Sequence, residues 1–113
     1  MKEFALLFRQ PDYDYRSLSP KDMEALTNKW KSWTGNITEQ GRMAGGAIRL
    51  ALEGKVLKAG GLVTDGPFVE IREMLGSLII IKATDLEEAT TFAHGCPALD
   101  FGGSVEIRPI FQY

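Results

Sequence analysis

Apolar and polar positions along the chain change period several times, and each change marks an element. Phe4 to Phe8 is a short apolar, β-prone run, which predicts a central strand over residues 3–9. A polar, tyrosine-containing loop follows over 10–18. Met23, Leu26, Trp30, Trp33 and Ile37 are then spaced 3, 4, 3 and 4 apart, which draws one apolar stripe down a helix. Ser19-Pro20 starts that helix. The serine hydroxyl can cap it, and proline suits the first helical position because its missing N–H would be unpaired anyway. Asp22 and Glu24 fall near the positive helix start, and Gly41 is the expected stop.

The pattern then turns to strands. Residues 43–52 read as a second strand, with Gly45-Gly46 marking a bulge or a close backbone approach. Glu53-Gly54-Lys55 reads as a hairpin turn into a short strand, Val56-Leu57-Lys58, which Gly60-Gly61 ends. Leu62-Val63-Thr64 leads into Asp65-Gly66-Pro67-Phe68. Residues 76–84 form the clearest strand: Ile79-Ile80-Ile81 is β-branched and suits a sheet buried on parts of both faces. Asp85 caps a second helix whose buried side is Ala89, Phe92 and Ala93 and which Gly95-Cys96-Pro97 ends. Val105, Ile107 and Ile110 place the last strand at 103–111, with Pro109 at an edge or near its end.

With the hairpin treated as an insertion, this order is the ferredoxin-like βαββαβ arrangement of an α+β fold. Two helices cover one face of an antiparallel sheet. Strands apolar on both sides leave the other face needing cover, and a second copy across a two-fold axis supplies it. A homodimer is therefore expected. The 113 residues fit one domain, 1–113.

Composition narrows the function classes. Apolar residues make up 44% and charged residues 25%, the balance of a globular protein. The net charge is -2 with no basic stripe, so direct nucleic-acid binding is not expected. Cys96 is the only cysteine, which excludes an intrachain disulfide and reads as a small buried residue. The apolar run at residues 78–81 is far short of the roughly 20 residues of a membrane span. The N-terminus opens on a strand pattern without a signal peptide, so a cytoplasmic protein is expected. No HxH, HExxH or DxDxDG pattern, nucleophile elbow or phosphate loop occurs, and no metal or cofactor is expected.

Asp65-Gly66-Pro67-Phe68 is the most constrained segment. Pro67 fixes its own φ, and Gly66 can adopt angles closed to other residues. An aspartate here would ordinarily bond the N–H two residues on, but that residue is Pro67. The Asp65 carboxylate must turn to the Phe68 N–H, a distant group, water or a ligand. Phe68, held just after the rigid turn, suits an anchor in a core or interface. Glu70 and Glu73 lie close by, with Arg72 able to neutralise one of them. Paired carboxylates can do acid/base work, hold a hard cation or simply form a solvated turn. His94, the single histidine, is either a proton shuttle or a residue favoured at a helix C-terminus. Trp30 and Trp33 fall in the helix stripe and read as core, with stacking on a flat ligand as the other option. Glu106 and Arg108, two apart on one strand, share a face and read as a surface or interface ion pair, with lining a cleft between sheet and partner as the other option.

The stretch from Val63 through Asp65-Gly66-Pro67-Phe68 to Glu70 resembles the hallmark of the YCII-related, DGPF-type family. The likeness extends through Arg72-Glu73, Leu75-Gly76-Ser77, Ile79-Ile80-Ile81, Asp85, Glu87-Glu88-Ala89, Gly95-Cys96-Pro97 and residues 105–110. It implies a dimeric α+β barrel. It also implies, from suspected activity in related proteins, a His/Asp pair, to which Asp65 and His94 correspond here as catalytic candidates. Asp65, Phe68, Glu70, Arg72 and Glu73 are the ligand-binding candidates. The reading that follows is a homodimer that binds a small molecule, with enzymatic activity left open. The alternative is a non-catalytic regulatory or interaction protein, because DGPF-type relatives are linked genetically to extracytoplasmic-function sigma factors.

Overall fold

The computed structural model describes residues 1–9, 18–51, 53–66 and 75–112, with Asp65 and Gly66 described by their backbone alone. In chain order the elements are β1 (Lys2–Arg9), α1 (Pro20–Glu39), β2 (Ile48–Arg49), β3 (Gly54–Leu57), β4 (Val63–Gly66), β5 (Leu75–Ala83), α2 (Leu86–Ala93), a 3₁₀ helix (Pro97–Phe101) and β6 (Ser104–Pro109). β1, β2, β5 and β6 form a four-stranded sheet in the order β2-β5-β1-β6, antiparallel throughout. Leaving out β3 and β4, the strands run 2-3-1-4 across the sheet, the ferredoxin-like order read from either edge. The fold is α+β, as the order of elements predicts.

Local chemistry sets the helix ends. The Ser19 hydroxyl accepts the Asp22 N–H at 3.1 Å, and Pro20 opens α1. At the other end Gly41, at φ 70°, reverses the chain. Its N–H donates to Thr38 O at 2.9 Å and the next N–H, of Arg42, donates to Ile37 O at 3.1 Å. These are the two bonds of a Schellman stop, which needs a left-handed residue where Gly41 stands. In α2 the Asp85 carboxylate accepts the Glu88 N–H at 2.8 Å, while Glu88 reaches back to the Thr84 N–H at 3.0 Å. This is a reciprocal capping box displaced by one residue.

Cross-strand register fixes what each sheet face carries. Phe4 lies opposite Ile81, Leu6 opposite Ile79 and Phe8 opposite Ser77. With Ala83, Ile37, Ala89 and Ala93 the apolar members of this face build the buried core, and both helices supply its cover. Phe8, Trp30 and Trp33 meet edge to face, with ring centroids 5.2–5.8 Å apart, the arrangement that ring quadrupoles favour. The opposite face carries Ala5, Leu7, Leu78 and Ile80, all partly exposed. Glu106 borders it, held by Arg9 at 2.8 Å and approached by Arg108 at 3.8 Å.

Two segments differ from the periodicity reading. Among the described residues of 43–52, regular strand is confined to Ile48–Arg49, with a separate bridge from Met43 to Ile81. Five residues separate Met43 from Ile48 but only three separate their partners Ile81 and Leu78, so two extra residues bulge out where Gly45-Gly46 lie. The turn of the β3–β4 hairpin is not at residues 53–55. Gly54 is already paired, opposite Gly66, and the chain reverses at residues 58–62. Gly60 and Gly61 have φ of 88° and 84°. Two consecutive left-handed positions are open to a glycine pair and costly for other residues, which outweighs the turn signal of a single Gly54.

Candidate functional site

The helix stripe does more than fill the core. Met23, Leu26, Thr27, Trp30, Lys31 and Thr34 recur at helical spacing on one side of α1, and they roof a cavity of about 240 Å³. Its floor comes from the sheet: Phe8 of β1, Ser77 and Ile79 of β5, and Arg49 of β2, with Ala47 beside it. Register explains the convergence. Phe8 and Arg49 both pair with Ser77, and directly opposed residues share a face, so all three lie on the helix-covered side. The space exists because α1 rests on Phe8 through Trp30 and Trp33 near its middle. The earlier turns of α1 lie over the β2 end of the sheet, where the regular strand is only two residues long.

The lining divides into an apolar body and a polar fringe. Phe8, Leu26 and Ile79 are buried, and Met23 and Trp30 are partly so. Lys31 and Arg49 are exposed, one on each wall. The Thr34 hydroxyl donates to Trp30 O at 2.9 Å, leaving its lone pairs as acceptors. No carboxylate lies among the described lining residues. An apolar chamber with a few convergent polar groups is the general form of a small-molecule site.

Trp33 serves differently from its neighbour. Its indole N–H donates to Phe92 O at 3.0 Å, and its ring lies at van der Waals distance, 3.4 Å, from a Cβ built on Gly95. It is a core residue tying α1 to α2, while Trp30 both packs and lines the cavity.

A second polar cluster lies at the start of α2. Arg42 pairs with Glu88, and its guanidinium also stands 5.6 Å from the centre of the Phe92 ring, within cation–π range. The Thr84 N–H and then Arg42 hold the Glu88 carboxyl below the usual range. These bonds join the end of α1 to α2, a structural role.

Of the sequence-derived candidates the structure describes His94 whole and Asp65 by its backbone. Asp65 is on β4, with its backbone opposite Lys55, in the two-stranded sheet. Its side chain, and Phe68, Glu70, Arg72 and Glu73, lie outside the described residues. His94 caps the C-terminus of α2, exposed, with its N–H donating to Thr91 O at 3.3 Å. It does not line the cavity under α1. Cys96 is buried, and burial raises its thiol pKa to about 11, so it is no nucleophile at neutral pH. Among the described residues no three His, Cys, Asp or Glu side chains gather as a metal site, and no helix is long and apolar enough to cross a membrane.

Periodicity passed over Thr27, Lys31, Thr34, Arg49 and Ser77. Their signals were local: polar residues flanking the apolar helix stripe, and single polar residues within apolar strand stretches.

Residues 13–113 match the family model described as the YCII-related domain, which covers most of the chain. No curated protein matches it.

Proposed function

The chain belongs to the YCII-related domain family, and from that premise we propose that it is a homodimeric small-molecule-binding protein whose ligand enters the cavity between α1 and the β2 end of the sheet. The observation that carries this reading is the cavity itself: about 240 Å³, apolar within and fringed by hydroxyls and two cations. A chamber held by core residues such as Phe8, Leu26 and Ile79 is preformed, which spares a ligand the cost of ordering its site. The homodimer rests on the uncovered sheet face of Ala5, Leu7, Leu78 and Ile80. A second such face offers the apolar cover that the helices leave unsupplied. A cytoplasmic location belongs to the same reading, with a single buried thiol and no possible intrachain disulfide.

Two measurements test it. A thermal-shift screen against a metabolite library should find compounds that raise the melting temperature of the wild type, because a ligand of the native state stabilises it. Thr27→Trp, which fills the cavity from its exposed edge, should abolish the shift; a compound that stabilises both proteins equally argues against this cavity. Sedimentation should give a dimer at micromolar concentration and a monomer for Leu7→Glu; a wild-type monomer removes the dimer from the proposal.

A further inference from the structure

We infer that the cavity under α1 selects a compact, single-ring carboxylic acid, an inference that rests on reading this cavity as the ligand site. Size sets the first limit. A dry apolar cavity of about 150 Å³ holds one benzene ring, so 240 Å³ accommodates one ring with a short substituent. Shape and chemistry set the second. Phe8, Leu26, Trp30 and Ile79 line the interior with aromatic and aliphatic side chains, which favours a flat or alicyclic apolar body.

Charge sets the third limit. The chain as a whole is acidic, with a net charge of -2, yet both charged residues of this lining are cations, Lys31 from α1 and Arg49 from β2. Lys31 makes no ion pair among the described residues. Arg49 takes part in another interaction, but a guanidinium has five donors in a fixed fork and can take a carboxylate in addition. Both are exposed, so they hold an anionic group at the mouth while the ring lies within. A cationic ligand would meet two like charges and no described carboxylate.

The test compares acids with their uncharged isosteres. Phenylacetate, 3-phenylpropionate and cyclohexanecarboxylate, each against its amide, are titrated into wild-type protein, with binding read from the tryptophan fluorescence that Trp30 reports and from calorimetry. The acids should bind at least about tenfold more tightly than the amides, the factor expected for charge-assisted hydrogen bonds. The double variant K31Q/R49Q should bring the acids down to the amide level and leave the amides unchanged, and Thr27→Trp should block both. Equal affinity for acids and amides, or acids unaffected in K31Q/R49Q, overturns the inference while the cavity reading stands if Thr27→Trp still blocks. If none of the six probes binds but a library compound stabilises the wild type and not Thr27→Trp, the inference falls alone. If no compound of either set binds, both fall.

Discussion

Trp33 donates its indole N–H to the carbonyl of Phe92 at 3.0 Å, joining α1 and α2 through residues 59 apart in sequence. That carbonyl lies in the last turn of α2, where no partner within the helix is available. Trp33→Phe keeps one six-membered ring and deletes the donor together with the five-membered ring. It should lower unfolding free energy by about 1–3 kcal/mol, the cost of leaving a partly buried acceptor unmet, measured by urea denaturation.

Glu88 gives a pH signature. The Thr84 N–H and then Arg42 lower its pKa in the folded state. Its contribution is therefore present above the unfolded-state pKa and is lost as pH falls through the lower, folded value. Glu88→Gln should be less stable than wild type at neutral pH, and the gap should close towards about pH 3, below the ordinary carboxylate range. Urea midpoints across that span check it; a gap that persists unchanged in acid would refute it.

The β3–β4 turn should be sensitive to a single methyl group. Gly60 has φ 88° and open space around it, so the penalty for Gly60→Ala is one of backbone conformation alone. It should cost the hairpin about 1–2 kcal/mol. Hydrogen exchange should speed up at Lys58, whose N–H donates to Leu62 O at 2.7 Å, and stay unchanged in β1 and β5.

Cys96 should be chemically silent until the fold opens. Its thiol is buried, its pKa is raised to about 11 by burial, and its sulfur accepts the Ala98 N–H at 3.3 Å. A colorimetric thiol reagent at about pH 8, near the ordinary cysteine pKa, should find no reactive thiol in the native protein and one per chain in denaturant.

Much of the frame was legible because it is written in local chemistry. Ser19-Pro20 and Asp85 start their helices where capping rules say, and Gly41 ends α1 as a left-handed residue must. The β-branched run at residues 79–81 lies in the long strand β5. Residues 43–52 and the hairpin turn were harder, since both depend on competition between glycine pairs, and short apolar stretches carry too few residues to fix a period. The cavity was not legible. Lys31 and Arg49 converge only through the antiparallel register that sets Arg49 opposite Ser77 and the seating of α1 over Phe8. Neither relation has a signature in spacing along the chain.

The two extra residues between Met43 and Ile48 limit how the length of this segment can vary. Strand side chains alternate with a period of two, so an even insertion leaves every following residue on its original side. Removing one of Gly45 and Gly46 would put this segment out of step with β5 and turn Arg49 towards the uncovered face. Removing both would leave three positions on each strand, so Arg49 would stay opposite Ser77 with the bulge gone. Relatives that keep a cation at the mouth of this cavity should therefore differ here by pairs of residues, and a single-residue gap should mark a site that binds something else.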